Sequence, residues 1–478
     1  MTLGHLSALS PELFLTIAAL GLLLADAVWP GRRKTSVAVA IGAVLAAAVL
    51  LFKCGGDGVV LGMMAADGMG RFFKLILLGG MALVLWMSLD YRAFRSSSAD
   101  REETVSETAW GTYAALLLLA TVGLLLLVSA VDFLLIVVAL ELIGVTSFIL
   151  TGFLRHDRRS NEAAIKYFLV GAFSSALMIY GVSLLYGITG STAIRAVLEA
   201  DLGVASRFPL IAAVLFILVG FGFKLAMVPF HMWVPDAYEG APTPITAFLS
   251  VAPKAAAAGI LVRTFAAHGE LGLSSLLAVL AAVTMTVGNL AALRQSNVKR
   301  LLAYSSIAQM GYVLVGFVAA GKLGILSVLV YSAAYLVMNL GAFACVIAVS
   351  NDAGMDDLMG FSGLSRRSLP LALATTVFML SLTGIPPMVG FVGKFSVFAA
   401  AVAEGWVWLA VVGVINSVIS LYYYFGIVHR MFFVDSERPL RISVAASLVG
   451  CISVTLLGTL AAGLFPGPLL EWVRRVVL

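Results

Sequence analysis

Apolar runs of roughly 20 residues, each long enough to cross a bilayer as a helix, recur along this chain from Ser7 to Phe465 with only short polar gaps between most of them. Of its 478 residues, 61% are hydrophobic and only 12% are charged. Soluble domains carry roughly a quarter charged residues, and no water-soluble fold can hide this much apolar surface. The sequence therefore predicts an all-α integral membrane protein built as one polytopic domain.

The spacing of the runs predicts about fourteen transmembrane helices. We expect them at residues 8–29, 35–53, 71–90, 111–129, 130–154, 161–187, 208–234, 242–266, 271–293, 300–320, 323–350, 368–403, 406–432 and 441–465. The first four look peripheral. The run 368–403 is too long for one crossing of roughly 20 residues. The run from Leu6 to Trp29 exceeds a signal-peptide core and has no preceding basic region, so we expect it to be retained as the first helix.

Lysines and arginines concentrate in alternate loops. The rich loops carry Arg32, Arg33 and Lys34; Arg92, Arg95 and Arg101; Arg155, Arg158 and Arg159; Arg294, Lys299 and Arg300; Arg366 and Arg367; Arg430, Arg438 and Arg441. The other loops carry fewer: Arg195, Arg207, Lys322, Arg474 and Arg475. Because cytoplasmic loops are enriched in basic residues, we expect the rich loops in the cytoplasm and both termini in the periplasm. Short basic loops, rather than one basic stripe, also argue against nucleic acid as a partner.

Two predicted helices are interrupted in a similar way. The seventh contains Gly220, Gly222, Lys224 and Pro229, and the twelfth contains Gly384, Pro386, Pro387, Gly390, Gly393 and Lys394. An offset of five helices makes the two copies inverted, and paired broken helices in inverted halves point to a transport site. Glycine and proline are also common in ordinary membrane helices, but the lysine beside each break favours transport. We expect peripheral helices in 1–110, a first five-helix repeat in 111–270, a second, inverted repeat in 271–435, and a final helix in 436–478.

Four ionisable residues lie deep in apolar stretches: Glu141 in VVALELIGV, Lys224 in GFGFKLAMV, Lys254 in VAPKAAAAG and Lys394 in GFVGKFSVF. Insertion scales put a central charge at roughly 2.5 to 3.5 kcal/mol, so four without partners would cost on the order of 10 kcal/mol. One ion pair with snorkelling side chains would reduce that cost. It would still leave two lysines without a deep carboxylate, so these four residues are the candidate functional groups.

A desolvated lysine can load and release a proton near neutral pH, because burial disfavours its charged form. At an effective dielectric near 20, unit charges attract by roughly 4 kcal/mol at 4 Å and 2 kcal/mol at 8 Å. We therefore hypothesise that a movement of a few Å between Glu141 and Lys224, transmitted from outside the chain, decides whether Lys224 holds its proton.

Two further residues are candidate relays. Lys166 lies early in the sixth predicted helix, where a snorkelling cytoplasmic cation is an equal alternative. His231 titrates near neutrality and lies beside the break at Pro229. Polar side chains that either join helices or carry water between the charges are Thr284, Thr286, Asn289, Tyr304, Ser305, Ser306, Gln309, Asn339, Asn416, Ser417 and Ser420.

Four long strings resemble the antiporter-like subunits of respiratory complex I and their relatives in cation/proton antiporters and membrane hydrogenases. They are DRRSNEAAIKYFLVGAFSSALMIYG (157–181), FKLAMVPFHMWVPDAYEGAPTPITAFLSVAPKA (223–255), RQSNVKRLLAYSSIAQMGYVLVG (294–316) and GIPPMVGFVGKF (384–395). Three features distinguish the chain from the M and L subunits of complex I: the PDAYEGAPTP segment, the lysine at position 394 instead of glutamate, and an end soon after the fourteenth helix, where subunit L would continue into a long lateral helix.

The resemblance implies a role for each deep charge: Glu141 and Lys224 as the pair of the fifth and seventh helices, Lys254 as the central relay, and Lys394 as the distal group. It implies a proton-translocating subunit that binds no cofactor and does no redox chemistry, driven by quinone reduction in neighbouring subunits. Quinone, FMN and iron–sulfur clusters are expected elsewhere in that complex. Expected partners are a second antiporter-like subunit, small membrane subunits and the lipid bilayer of a bacterial inner (cytoplasmic) membrane.

Two other functions stay open at this stage. The chain could instead be a subunit of a membrane hydrogenase or of a multisubunit cation/proton antiporter, where it would exchange Na⁺ or K⁺ for protons. The deep charges are mostly cationic, which argues against a cage of oxygen ligands for Na⁺. In a purely structural scaffold, apolar residues at Lys254 and Lys394 would be tolerated. No metal site is predicted, because Cys54, Cys345 and Cys451 are scattered without metal-site spacing.

Overall fold

A computed structural model of the chain describes residues 7–29, 31–53, 58–94, 109–199, 207–265, 273–436 and 441–477. Cys54, Arg95, Arg101 and Arg438 lie outside the described residues. The helices in this part of the chain are α1 (Ser10–Val28), α2 (Arg33–Lys53), α3 (Gly68–Ser88), α4 (Trp110–Ser129), α5 (Phe133–Thr151), α6 (Arg158–Thr189), α7 (Ile194–Leu198), α8 (Arg207–Leu225), α9 (Trp233–Gly240), α10 (Thr243–Phe265), α11 (Ser274–Ala292), α12 (Val298–Val318), α13 (Gly321–Ala353), α14 (Leu364–Arg367), α15 (Leu369–Thr383), α16 (Val389–Ala403), α17 (Val407–Phe433), α18 (Ala446–Leu464) and α19 (Gly467–Val477). Strands β1 (Gly58–Val60) and β2 (Met64–Ala66) form a small antiparallel hairpin.

Thirteen of the described helices are long and apolar enough to cross a membrane. They confirm the all-α membrane fold. The run 368–403, predicted to be too long for one crossing, is divided into two shorter apolar helices, α15 and α16. The hairpin, α7 and α19 were not predicted, because each is too short or too polar to register as a crossing.

Loops that alternate along the chain meet at the same end of the helix bundle. At the end with the basic loops, Ser447 donates a hydrogen bond to Asp90 at 2.6 Å, and the side chain of Arg92 donates to the carbonyl of Asn351 at 3.0 Å. These contacts join loops that are hundreds of residues apart in sequence. We call this end the basic face.

The other end, here called the opposite face, is joined in the same way. Met64 of β2 pairs with Ala130 after α4, and Trp472 of α19 packs on Phe72 at the start of α3, with ring centroids 4.6 Å apart. The last described helix therefore lies on the opposite face.

Helix α10 occupies the centre of the fold. Nearly all its residues are buried, because α3, α4 and α13 pack around it. The run of small residues at 255–259 permits this close packing: a Cβ on Gly259 would lie 2.9 Å from the ring of Phe73. The prediction that the first four helices are peripheral is wrong for α4, which is buried along most of its length because α1, α3 and α5 enclose it.

The two predicted breaks are present. Helix α8 ends at Leu225, and the chain leaves helical geometry through Ala226, whose φ of +59° is left-handed, before α9 begins. Helix α15 ends at Thr383 and is followed by Gly384 with φ +92° and by two prolines. Proline lacks the backbone N–H that helix continuation requires. Each break therefore leaves helix ends inside the bundle, where their carbonyl and N–H groups need other partners.

Candidate functional site

Three of the four deep charges are lysines with almost no solvent exposure. The exposed fraction is 5% for Lys224, 0% for Lys254 and 3% for Lys394. Within the residues that the structure describes, none of the three has a carboxylate within 4 Å. The cost of their burial is therefore not offset by direct ion pairs, and the other groups around each ammonium determine what it can do.

Lys224 lies in the last turn of α8, facing α5. Its ammonium nitrogen has no hydrogen-bond partner among the described residues. A Cβ built on Gly144 would lie 3.5 Å from this nitrogen, so the absence of a side chain at position 144 makes room for it. Glu141 precedes Gly144 by three residues and so lies on the same side of α5. The two charges interact electrostatically without ion-pair contact.

Lys254 has a different environment, here called the Lys254 cluster. Its ammonium donates a hydrogen bond to the hydroxyl of Ser306 at 2.5 Å. The hydroxyl of Tyr335 also donates to Ser306, at 2.8 Å, and Tyr238 approaches the same oxygen at 3.4 Å. The ammonium lies 5.3 Å from the ring centroid of Tyr238, within cation–π range. Hydroxyl groups and an aromatic face, rather than an anion, therefore surround this buried cation.

A second polar group, the Gln309 cluster, follows on the next turn of α12. The amide nitrogen of Gln309 donates to the hydroxyl of Tyr424 at 3.2 Å. The amide oxygen accepts from the hydroxyl of Tyr331, and Ser305 is hydrogen-bonded to Tyr424. Ser305 is the sequence neighbour of Ser306, so this cluster adjoins the Lys254 cluster.

The Lys394 cluster lies between α11, α12, α16 and α17. Lys394 donates to the hydroxyl of Ser417 at 3.2 Å and lies 4.3 Å from the ring centroid of Tyr312. Ser417 donates to the hydroxyl of Tyr312 at 3.4 Å. Asn289 donates to the same hydroxyl at 3.4 Å and accepts from Tyr423 at 3.0 Å. The cluster thus extends from the ammonium to Tyr423.

The three clusters form a nearly continuous band of polar groups. Tyr423 of the Lys394 cluster is the sequence neighbour of Tyr424 of the Gln309 cluster, and their ring centroids are 4.4 Å apart. Hydroxyl groups both donate and accept. In a row of such groups, each hydroxyl can release its own proton to the next group as it accepts another, so that one O–H bond breaks as another forms. Lys224 is related to this row through aromatic rings. Its ammonium lies 5.4 Å from the ring centroid of Phe223, Phe223 packs on Trp233 at 5.2 Å, and Trp233 packs on Tyr238 of the Lys254 cluster at 6.3 Å.

The structure does not place Lys166 with the buried lysines. Its side chain is 45% exposed near the basic face and pairs with Glu162 at 2.7 Å and with Asp236 at 2.8 Å. Arg300 pairs with Asp236 at 2.7 Å and with Glu239 at 3.0 Å. This network ties α6 to α9 and α12, which matches the alternative of a cation at the membrane surface. A relay function for Lys166 stays a prediction.

His231 lies in the break between α8 and α9 and is partly buried. Its Nδ1 has no hydrogen-bond partner in the described part of the chain. The preceding segment is held by a hydrogen bond from the backbone N–H of Val228 to the hydroxyl of Thr284 at 3.1 Å. His231 therefore stays a candidate relay by position, without a hydrogen bond to any of the three lysines among the described residues.

Sequence reasoning missed the tyrosines of the three clusters. It singled out serines, threonines and amides because they are polar in apolar helices, and Tyr304 was the one tyrosine among them. The buried tyrosines that contribute a hydroxyl to the three clusters are Tyr238, Tyr312, Tyr331, Tyr335, Tyr423 and Tyr424. A count of hydroxyls per helix that included tyrosine would have found them, since a buried tyrosine hydroxyl usually requires a partner.

It also missed a second set of charges near the opposite face. Lys74 of α3 pairs with Glu12 of α1 at 2.6 Å, with both side chains buried. Asp67 caps the start of α3 and accepts two hydrogen bonds from Arg263, at 2.6 and 2.9 Å. Burial raises the pKa of the Asp67 carboxyl, but the hydrogen bonds and charge of Arg263 outweigh burial and hold this pKa below its ordinary value. The burial cost that selected the four deep charges also applies to Glu12 and Lys74.

Comparison with known proteins agrees with the fold. Residues 130–420 match the family of the NADH:quinone oxidoreductase/Mrp antiporter transmembrane region. The chain is 41% identical over 500 residues to NADH-quinone oxidoreductase subunit N 2 of Symbiobacterium thermophilum, and the match covers 98% of this chain and 96% of that protein.

Solved structures give the same result. A chain of respiratory complex I from Thermus thermophilus superposes with a TM-score of 0.80 at 33% identity, covering 96% of this chain and 98% of that one. A chain of the Mrp complex from Dietzia sp. has a TM-score of 0.81 at 23% identity, covering 100% and 97%, which is a likeness of fold. The three features that set the chain apart from the M and L subunits predicted a subunit N, and the relatives confirm it. The chain belongs to the NADH:quinone oxidoreductase/Mrp antiporter family and, within it, to the NADH-quinone oxidoreductase subunit N proteins.

Proposed function

We propose that this subunit carries protons through the membrane along its buried charges, from the Glu141 and Lys224 pair through Lys254 to Lys394. The observation that carries the proposal is the band of hydroxyl and amide groups that joins Lys254 to Lys394 through Ser306, the Gln309 cluster and the Lys394 cluster. Side chains that only held helices together would not need an uncompensated cation at each end of such a band.

The Glu141 and Lys224 pair supplies the switch in this proposal. The two groups interact without ion-pair contact, and Lys224 lacks a hydrogen bond in the described structure. Bringing them from about 8 Å to about 4 Å would change their attraction by roughly 2 kcal/mol at an effective dielectric near 20. Moving one charge against 100 mV costs roughly 2.3 kcal/mol. A displacement of a few Å is therefore of the right size to drive proton loading of Lys224.

The displacement would come from neighbouring subunits. Glu141 belongs to the stripe of α5 that faces outward, together with Leu134, Val138 and Val145, which are 51%, 53% and 52% exposed. A partly exposed carboxylate in an apolar, membrane-facing stripe is costly in lipid. This face would be covered by small membrane subunits of the complex, which would carry the signal of quinone reduction to Glu141.

Lys394 lies at a second lateral surface. A cavity of about 380 Å³ opens beside it between α16 and α17, and its rim includes Phe395 and Val418, which are 61% and 66% exposed. A second antiporter-like subunit covering this surface would close the cavity and receive the path. The two lateral faces therefore give the subunit an input side at Glu141 and an output side at Lys394.

The subunit itself would bind no redox cofactor, with quinone, FMN and iron–sulfur clusters in other subunits. The basic face would lie in the cytoplasm and both termini in the periplasm of a bacterial inner membrane, by the enrichment of Lys and Arg in cytoplasmic loops. The regions 111–270 and 271–435 would be the two inverted repeats. Protons are favoured over Na⁺ or K⁺ because the path is lined by ammonium and hydroxyl groups, whereas hard cations prefer clusters of carboxylate and carbonyl oxygens.

The test is to measure NADH-driven quinone reduction and proton pumping together, in membranes carrying the assembled complex with Lys224→Ala or Lys254→Ala. Native gels check assembly. The matched control is Lys322→Ala, which removes an exposed lysine at the opposite face. We expect both activities to collapse in the two buried-lysine variants while assembly and the control remain normal. Unchanged pumping in an assembled Lys254→Ala complex would show that the buried lysines are structural.

A further inference from the structure

A deep apolar crevice lies away from the proposed path, between the N-terminal helices and the last ones. Helices α2 and α3 form one wall, and α13 and α18 form the other. The crevice exists because small residues line both walls, among them Gly79 of α3, Ala333 of α13 and Gly458 of α18. Leu45 and Val454 lie on its rim and are 57% and 51% exposed, so it opens sideways toward the bilayer.

The volume and length of the crevice indicate what kind of molecule can occupy it. Its volume is about 770 Å³, within the range of ligand pockets. A transmembrane helix about 10 Å wide and 30 Å long would need about 2,400 Å³, so a helix of another subunit does not fit inside. Ile76 and Trp86 mark its extent on α3. Trp472 extends the crevice to the level of Phe72, on which it packs. From residue 72 to residue 86 the helix spans about 21 Å, so the crevice reaches from the opposite face past the roughly 15 Å of hydrocarbon in one leaflet. These dimensions suit lipid acyl chains.

The end of the crevice at the opposite face is closed by α19, whose Leu469 and Trp472 line it. Val473 is fully buried against the bundle, whereas Arg474 and Arg475 are exposed. Neither arginine has an ion-pair partner within the described ranges. A short amphipathic helix with apolar residues inward and arginines outward suits the boundary between acyl chains and headgroups. The two arginines supply the charge complementary to an anionic headgroup.

We infer that this crevice is a binding site for an anionic phospholipid, with its acyl chains between α3 and α13 and its phosphate near Arg474 and Arg475. The crevice also reaches Val389, the first residue of α16. A bound lipid therefore packs against the half-helix that carries Lys394, and it supports the broken segment from the side remote from the path.

The experiment uses the assembled complex in detergent, depleted of lipid and then incubated with phosphatidylglycerol or phosphatidylcholine carrying a photoreactive diazirine in one acyl chain. Mass spectrometry locates the labelled peptides. We expect phosphatidylglycerol to label α3, α13 or α18 at the crevice, and phosphatidylcholine to label them much less. Crevice peptides that remain unlabelled in the wild-type complex, with the lipid label found only on other subunits, would overturn the inference without any variant.

Two variants with matched controls test the two ends of the lipid. Gly79→Phe should fill the crevice, and the substitution is sterically possible because no atom lies within 4 Å of a Cβ at position 79. The control is Gly21→Phe on α1, where a Cβ would also have no atom within 4 Å. Labelling should be lost in Gly79→Phe and retained in Gly21→Phe.

Arg474→Gln combined with Arg475→Gln should lower the preference for phosphatidylglycerol by roughly 10- to 30-fold, since each basic residue near a surface contributes about 1 kcal/mol toward anionic lipid. Arg195→Gln, on an exposed arginine paired with Glu199, is the control and should leave the preference unchanged. If Gly79→Phe is labelled as strongly as the wild type, the site is overturned. If the double arginine variant keeps the wild-type preference for phosphatidylglycerol, the anionic specificity is overturned.

Discussion

The ammonium of Lys394 donates a hydrogen bond to the backbone carbonyl of Thr383, the last residue of α15, at 2.8 Å. The lysine belongs to α16, so this bond ties together the two halves of a broken helix. Carbonyls at a helix C-terminus lack partners within the helix, and a cation is favoured there. Loss of the proton from Lys394 would weaken this tie, so the charge of the lysine and the geometry of the break are coupled.

Gly384 tests this coupling, because it stands between the carbonyl and the lysine. A Cβ at this position would lie 2.8 Å from Cδ of Lys394, and the backbone φ is +92°. Gly384→Ala should therefore displace the lysine and, in addition, strain the backbone by about 1–2 kcal/mol. We expect proton pumping to fall severalfold in an assembled complex, measured by quenching of a pH-sensitive dye in inverted vesicles.

Gly405→Ala separates the two effects. Gly405 has a similar φ of +83° with no atom within 4 Å of its Cβ position, so it carries the strain without touching Lys394. Pumping should be close to normal in this variant. If both variants lose the same amount of pumping, backbone strain alone explains the effect, and the evidence for coupling between Lys394 and the break is removed.

Ser306 is predicted to hold Lys254 in a functional position. Ser306→Ala removes the acceptor at 2.5 Å from the Lys254 ammonium, and hydrogen bonds to charged groups contribute about 1.5–3 kcal/mol. We expect pumping and quinone reduction to slow by roughly tenfold, since about 1.4 kcal/mol corresponds to that factor.

The control for this prediction is Ser332→Ala. Ser332 is a buried serine whose hydroxyl, within the described residues, donates a hydrogen bond only to the Val328 carbonyl of its own helix. Wild-type rates in Ser306→Ala, or an equal loss in the Ser332→Ala control, would show that Ser306 does not act through Lys254.

Tyr312 links Lys394 to the rest of the band. Its hydroxyl accepts hydrogen bonds from both Asn289 and Ser417, so Tyr312→Phe interrupts the row and leaves the packing ring in place. We expect pumping to fall while the subunit content of the membranes stays constant. Tyr113→Phe is the control, because Tyr113 is equally buried but its hydroxyl bonds Ser88, away from the path. If the Tyr113 variant loses as much activity as the Tyr312 variant, the effect is one of packing.

The sequence predicted the crossings, both breaks and the three buried lysines because each depends on a strong local signal. Twenty apolar residues must cross a membrane, proline and glycine interrupt helices, and a charge in an apolar run is costly wherever it packs. Burial of α4 could not be predicted, since its apolar residues look the same whether they face lipid or protein.

The hydrogen-bond partners of the buried lysines also could not be predicted from the sequence. Ser306 and Lys254 lie on different helices, and their contact depends on how α10 and α12 pack. Tyr423 and Tyr424 contribute to two different clusters, although they are neighbours in the sequence. Lys166 illustrates the reverse case: its position early in a helix was compatible with two locations, and only the ion pairs with Glu162 and Asp236 place it near the basic face.

The buried pair of Glu12 and Lys74 is predicted to be structural, in contrast to the three lysines of the proposed path. The two groups compensate each other at 2.6 Å, and removing one partner of a buried pair costs about 3–5 kcal/mol because the other charge is left unpaired. Glu12→Gln or Lys74→Met alone should therefore lower the amount of assembled complex on native gels. The double variant leaves no buried charge and should restore assembly and pumping to near wild-type levels. Assembly that is normal in both single variants, but with pumping lost in the double variant, would instead place this pair on a proton route through the opposite face.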